Sequence, residues 1–366
     1  MRVLSSSSAE PTPMARIQAA SGPAARDERR TRHDLASRTG LSDARLLMRE
    51  LGDGLVRLKP NWGELLPAQE SLGTVRAVTR NAHVIHQTVG SLGHVHVRED
   101  MGWLVGSGMD LRLMLGHWHH ALAVVARDNP MAERGVYFFD ADGSQVHGVE
   151  LTSESSQGAF AALVARFRGP RLTPEFLSCA PVVQSPARRI PLVDIVDLRV
   201  RWDAMGEPGD FSDLLAHFGM TRLNALRLAG PGRAFSVGVE SGCTLLEYIR
   251  DEALSVEVHV ASVGAVQIHH GYVGSFREAD DWWRIRNPRF SLDLRRAGLA
   301  EVWVVRRPTH RGPVHSLEWY GFDGSLLMQI FGHRSTGGGR GCTMAASAGL
   351  FGRRSNRLRT RGLRAN

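Results

Sequence analysis

Two stretches of the chain repeat one chemical arrangement. VIHQTVGSL, residues 84–92, and VQIHHGYVGSF, residues 266–276, each place an imidazole after an apolar residue and follow it with a Gly-Ser turn. Ile85-His86 and Ile268-His269 are thereby separated by 183 positions. A neutral imidazole in such a setting either packs within a strand or offers a ring nitrogen to a metal. Five more histidines lie close together within 94–120: His94 and His96, two apart on one strand face, and His117, His119 and His120 crowded around Trp118. They could bind a transition metal or serve as helix-capping and solvated imidazoles. The segment has no thiolate, no repeating i,i+4 spacing and no obvious carboxylate partner.

Arginine is the second signal. Arg112 stands inside MDLRLML, and Arg334 follows the apolar QIFG. A guanidinium among Leu, Met and Phe is costly unless it meets a carboxylate. That carboxylate is either internal, with Asp110 and Asp142 within range of Arg112, or belongs to a ligand that is flat, apolar and acidic. Haem fits the second description, with iron for imidazole, a macrocycle for aromatic and Met contacts, and propionates for arginine. The sequence has no GxSxG elbow, Walker loop or HExxH, and GSGMDL does not complete a dinucleotide fingerprint, which disfavours generic hydrolase and nucleotide chemistry.

These residues need a framework. The 366 residues suffice for two domains of ordinary size, each with a real core. MRVLSSSSAEPTPM turns polar after Leu4, and no window approaches ~18 uninterrupted apolar residues, so a cytoplasmic protein without membrane insertion is expected. Cys179, Cys243 and Cys342 are scattered singly, which indicates neither a disulfide framework nor a zinc knuckle. The formal charge is +8, but seven arginines and no acid fall within 335–366, leaving the body close to neutral. Lys59 is the only lysine. This distribution argues against a nucleic-acid groove.

Along the chain, residues 1–30 read as a disordered lead and 335–366 as a disordered basic tail. RTRHDLASRTGLSDARLLMREL predicts two short helices broken at Gly40, with Ser42 capping the second. From Leu72 onward, short apolar runs between Gly, Asn and Asp predict antiparallel strands, interrupted by a helical DLRLMLGHW and a capped helix from Ser153 to Arg168. The second half returns to the same order. Asp110 aligns with Asp293 at an offset of 183, Val89 with Val273 at 184, and Asp142-Gly143-Ser144 with Asp323-Gly324-Ser325 at 181. So small a drift means that one unit was duplicated. The expectation is an α+β protein with repeats at 31–168 and 192–334, joined by a Pro-rich linker at 169–191.

Seven blocks, TRNAHVIHQTVG, DLRLMLGHWHHALAV, FFDADGSQVHGVEL, MTRLNALRLAGP, VQIHHG, RNPRFSLDLRRAGLAEVWVVRRPT and SLEWYGFDGSLLMQIFGHR, carry a resemblance. In this order they are similar to the blocks of the HemS/ChuS/PhuS-like haemin-degrading and haem-trafficking proteins of bacteria, over most of residues 30–335. The resemblance implies two repeats, each a large antiparallel sheet with flanking helices, forming a saddle with haem (haem b, haemin) in a cleft beside the C-terminal sheet. Position by position, Arg112 and Arg334 match arginines that contact haem, and Arg307 matches a basic residue near the propionates. Gln329 and Phe331 match pocket-lining positions. His86 matches a histidine that some relatives use, and His269 falls at a cleft-facing position that is often aromatic.

The resemblance breaks at the proximal ligand. Relatives carry a histidine seven residues after a tryptophan, whereas here the segment is WDAMGEPGDFS, with Trp202 and Phe211 in frame, Pro208 before the site and Gly209 in it. Phe331 also lacks the hydroxyl of the tyrosine common there, and Met114 stands where an aromatic is usual. Three expectations stand side by side: iron held by another group, with His269 or His86 leading and His217 following; haem bound without a proximal histidine; or a relative that keeps only the fold. The function implied is haem trafficking in iron acquisition, with haemin degradation as the alternative within the family. Its partners would be a haem uptake transporter or a haem oxygenase. The alternative of another class is a DNA-binding regulator using the 31–50 helix pair.

Overall fold

The computed structural model describes residues 39, 41–106, 108–126, 133–172, 193–207 and 209–332. Arg334, the lead, the tail, most of the linker and the first helix of the 31–50 pair lie outside the described residues.

The first repeat runs α1 (Asp43–Leu51), β1 (Leu55–Leu58), α2 (Trp62–Ala68), β2 (Gly73–Arg80), β3 (Val84–Ser91), β4 (Val95–Arg98), β5 (Met101–Gly106), β6 (Met109–Met114), β7 (His120–Val124), β8 (Gly135–Phe139), β9 (Gln145–Ser155) and α3 (Gln157–Phe167). The second opens with three helices, α4 (Ile195–Asp203), α5 (Asp210–Phe218) and α6 (Arg222–Ala229). It continues with β10 (Ala234–Val237), α7 (Val239–Asp251), β11 (Ser255–Ala261), β12 (Ala265–Tyr272), β13 (Ser275–Ala279), β14 (Trp282–Arg286), β15 (Phe290–Arg295), β16 (Glu301–Arg307), β17 (Val314–Tyr320) and β18 (Leu326–Gly332).

The eighteen strands form two nine-stranded antiparallel sheets, in the orders β1-β7-β8-β9-β2-β3-β15-β14-β13 and β10-β16-β17-β18-β11-β12-β6-β5-β4. Each order maps onto the other when a strand is replaced by its repeat partner. Each sheet therefore takes six strands from one repeat and borrows a three-stranded ribbon from the other. The junctions are equivalent too: Ile85 pairs with Asp293 where β3 meets β15, and Ile268 with Asp110 where β12 meets β6.

Burial explains why the ribbons cross over. The ribbon residues Leu104, Met109, Leu111 and Leu113 share a core with α2, α3 and β2, elements of their own repeat. Phe290, Leu292 and Leu294 do the same with α7 and β11. A ribbon thus hydrogen-bonds to the other sheet while packing its apolar face over its own, so neither core closes without both sheets. Side-chain hydrogen bonds also tie the halves together: Trp118 Nε1 donates to the Gly264 carbonyl at 2.7 Å, Asn81 Nδ2 to the Leu327 carbonyl at 2.7 Å, and Gln267 Nε2 to the Ala77 carbonyl at 3.2 Å. Glycine is required at 264, because a Cβ there would meet Trp118 Nε1 at 2.8 Å.

Several local expectations are corrected. DLRLMLGHW is strand β6 followed by one 3₁₀ turn, Leu115–His117. Met109, Leu111 and Leu113 are buried on one side and Arg112 and Met114 emerge on the other, a period of two that overrides the helix propensity of Leu and Met. The helix expected from Ser153 begins at Gln157, because β9 runs on to Ser155; Ser156 is its cap, accepting from Ala159 N at 3.2 Å. Ser42 takes the N-cap position of α1 without a side-chain cap bond. Asp43 is used instead, accepting from Gln145 N and pairing with Arg80, while Ala44 and Leu47 pack α1 on the first sheet.

Candidate functional site

Alternation along the strands assigns each side chain of the second sheet to a face. The outer face, turned away from the first sheet, carries Ser316, Glu318 and Tyr320 of β17, Gln329 and Phe331 of β18, Glu257 and His259 of β11, Ile268 and His270 of β12, and Asp110 and Arg112 of β6. One row crosses five strands in direct register: Glu318 opposite Gln329, Gln329 opposite His259, His259 opposite Ile268, and Ile268 opposite Asp110. Four strand spacings give this floor a width of about 19 Å. The floor needs both repeats, since Asp110 and Arg112 arrive on the borrowed ribbon.

Helices α4 to α6 cover one end of the floor. Leu198, Trp202, Phe211, Leu214 and Leu226 pack with Trp303, Val305 and Tyr320 of the sheet. At the uncovered margin Phe211 meets Trp202 edge-on at 5.1 Å, and its ring lies 4.5 Å from the Arg222 guanidinium carbon.

Beneath this margin lies a closed polar cluster. Glu318, with no exposed surface, accepts from Arg222 Nε at 2.7 Å and Nη2 at 2.6 Å, from the hydroxyls of Tyr320 at 2.6 Å and Ser316 at 2.8 Å, and from Gln329 Nε2 at 2.9 Å. Burial opposes ionisation, but the Arg222 guanidinium and the two hydroxyls outweigh it and hold the carboxyl at about 2. Burial and the neighbouring carboxylate push the Tyr320 phenol up.

Arg307 is the exception beside it. Its guanidinium lies between the Phe211 and Phe331 rings, 5.6 and 5.7 Å from their centroids. Among the described residues it makes no salt bridge, and its Nε is buried without a hydrogen-bond partner. Burial, and then the nearby Arg222 charge, lower its pKa, while Glu318 and Tyr320 oppose the shift only in part. A cation held between two aromatic faces with no anion of its own is arranged to receive one.

The structure brings Arg112, Arg307, Gln329 and Phe331 to this one face. Arg112 is 42% exposed in its side chain and paired with Asp110 at 2.6 Å, so the internal partner foreseen from the sequence is present. The two histidines expected to hold iron are elsewhere. His269 lies on the inner face of β12, stacked on Phe290 at 3.9 Å and 10°. His86 is fully enclosed between the sheets, edge-on to the same Phe290 at 5.1 Å and 3.2 Å from Thr88 Oγ1. In β12 the residue on the cleft side is His270, one position along: the one-residue difference is strand parity. His217 is on α5 near Asp197, and Gly209 starts that helix with nothing within 4 Å of where a Cβ would stand.

His259, His270, Arg222 and Glu318 were not singled out from the sequence. A usable signal was there, since VEVHV alternates strictly and puts Glu257 and His259 opposite its valines. Among the described residues no three His, Cys, Asp or Glu side chains gather to hold a metal ion; His96 instead stacks on Trp103 at 5.4 Å.

The equivalent face of the first sheet is filled differently. By register, Arg76, Tyr137, Gly148 and Glu150 stand where Glu257, Glu318, Gln329 and Phe331 stand in the second, and Val78 stands where His259 does. There Glu150, itself buried, takes Arg76 at 3.2 Å and the Tyr137 hydroxyl at 3.1 Å, and Asp43 of α1 takes Arg80. The duplicated scaffold thus carries one satisfied face and one with an unpaired cation.

Among protein families, the haemin-degrading HemS/ChuX domain matches residues 40–167 and 219–341. The hemin transport protein HmuS of Yersinia pestis is 32% identical over 308 residues, 83% of this chain and 88% of that protein. Holo-PhuS, a heme-binding protein from Pseudomonas aeruginosa, superposes with a TM-score of 0.77 at 34% identity, covering 86% of this chain and 93% of that one. ChuS, described as an E. coli heme oxygenase, gives 0.72 at 29% identity over 83% and 90%.

Proposed function

Since the chain belongs to the haemin-degrading HemS/ChuX family, we propose that it binds one haem on the outer face of its second sheet and serves as a cytoplasmic haem carrier in iron acquisition. The observation that carries this reading is Arg307, a half-buried cation with an enclosed Nε and no salt bridge among the described residues, at the edge of a broad floor. A haem propionate supplies the missing charge. Gln329 and Phe331 line the floor beside it, Arg112 lies on the far strand, and Arg334, just beyond β18, is a second anchor under the same reading. The residues fit the group chemically, with apolar and aromatic surface for a macrocycle and guanidinium at the rim for carboxylates.

Carriage is favoured over ring opening by residue 209. Oxidative cleavage depends on which side of the macrocycle carries the iron ligand and which side is left open, and the helix position that relatives use for that ligand is glycine here, so any ligand must come from another element. Haem would come from an uptake transporter and pass to a haem oxygenase.

The test is a pair of haemin titrations followed at the Soret band. Arg307→Gln is expected to weaken binding about 10- to 100-fold, the worth of a charge-assisted hydrogen bond. Wild type should bind the dimethyl ester of haemin about as weakly. The unliganded variant should be within about 1 kcal/mol of wild type, because relief of a desolvated cation offsets the loss of its two ring contacts. Equal affinity for acid and ester would reject the propionate anchor. Given ascorbate and catalase in air, a carrier keeps its Soret band, whereas decay to a bilin product would mark an enzyme.

A further inference from the structure

Haem on this floor raises the question of which residue meets the iron, and the answer rests on the binding reading above. We infer that His259, held by Glu257, is the iron ligand of this chain.

The first argument is position. Among the described residues, the histidines on the floor's central strands are His259 and His270. His259 stands mid-row, with Gln329 opposite on one side and Ile268 on the other. Its ring lies 4.7 Å from that of Phe331, which in turn flanks Arg307. A planar guest anchored at Arg307 and spread over Phe331 and Ile268 has His259 beneath its middle. Arg112 lies two strands away, about 10 Å.

The second argument is hydrogen bonding. His270 is engaged at both ring nitrogens by carboxylates, Nε2 with Asp110 at 3.3 Å and Nδ1 with Glu257 at 3.7 Å. His259 is engaged at one only, Nε2 with Glu257 Oε2 at 3.3 Å. Its Nδ1 makes no bond to the described residues, and 23% of the side chain is exposed on the floor. A carboxylate on one ring nitrogen with the other free is the arrangement by which proteins orient a metal-binding imidazole and raise its basicity. The third argument is exclusion. His86 and His269 face the space between the sheets, and Gly209 has no side chain.

The test uses the full chain and haemin, reading absorption, EPR and resonance Raman spectra of the ferric and ferrous complexes. Wild type should show a histidine-ligated haem. His259→Phe, which keeps a ring against Phe331, should lose that signature and weaken binding by more than about tenfold, and Glu257→Gln should keep the ligand with affinity down about 10-fold. His270→Gln should keep the histidine-ligated spectrum, whatever it does to affinity through its contact with Glu257. His259→Asn serves as a second variant, and near-UV circular dichroism confirms that both fold. Imidazole added to His259→Asn should restore the wild-type spectrum. If His259→Phe and His259→Asn keep the wild-type spectrum and affinity, the assignment is wrong although haem binds. Absence of saturable haemin binding by wild type would instead remove the binding reading, and the ligand with it.

Discussion

Glu318→Gln is expected to cost about 3–5 kcal/mol of unfolding free energy, the range for removing one partner of a buried ion pair. Glu318 accepts five hydrogen bonds and is the only acid in contact with Arg222 among the described residues. An amide of the same shape preserves the volume but leaves the Arg222 guanidinium without a counter-charge, close to the already unpaired Arg307. The loss should therefore come from the cation left behind more than from the missing bonds. Urea denaturation of Glu318→Gln, Arg222→Met and the double variant separates the two, since the double variant should recover much of the loss. A Glu318→Gln midpoint within about 0.5 kcal/mol of wild type would show that the cluster is solvated and that the floor is not dry.

The second large effect is acid sensitivity. His86, His147 and His269 lie between the sheets, and burial depresses all three: His147 to about 3, His269 to about 4, and His86 well below its ordinary value, with His269 adding to the shift. Each native imidazole stays neutral while the unfolded one takes a proton near pH 6.5. The unfolded chain therefore holds more protons between those values. Stability is greatest above pH 6.5 and falls as the pH drops below it. At pH 5.5 each histidine contributes a loss of about 1.4 kcal/mol, about 4 kcal/mol for the three. Denaturant midpoints at pH 7.5, 6.5 and 5.5 check this. His147→Asn, which can keep a bond to Thr79, should flatten the lower part of the curve. Equal midpoints at 7.5 and 5.5 would mean that water reaches these imidazoles.

The duplication was legible because its offset drifts so little, and the strand content because short apolar runs end at Gly, Asn and Asp. Which sheet a ribbon joins was not legible. The ribbon 95–114 has the same apolar pattern whether it pairs with β3 or β12, and only the packing of Leu111 and Leu113 over their own repeat decides it. Arg307, Gln329 and Phe331 were singled out through their family blocks, and they lie on one face of the second sheet. That His269 lies on the inner face, not the cleft side expected of it, has a sharper cause. In IHH, choosing His269 over His270 assigns the face of the whole strand, and the parity is fixed only by register with β11, where Glu257 lies opposite His270 and Val258 opposite His269. Arg307 carried no mark of its isolation in the sequence, because the absence of a partner is a property of the folded neighbourhood.

A duplicated scaffold keeping one haem-binding face, the one where the half-buried Arg307 has no salt bridge among the described residues, is the central claim. A stoichiometric haemin titration of the full chain, at protein concentrations well above the dissociation constant, tests it most directly. With protein about tenfold above the wild-type dissociation constant, the expected result is a single break at one haemin per chain that rounds into a curve for Arg307→Gln, whose affinity is about 10- to 100-fold weaker. The first sheet adds nothing, because Glu150 and Asp43 already satisfy Arg76 and Arg80. A break at two equivalents, or an unchanged break in Arg307→Gln, would contradict it.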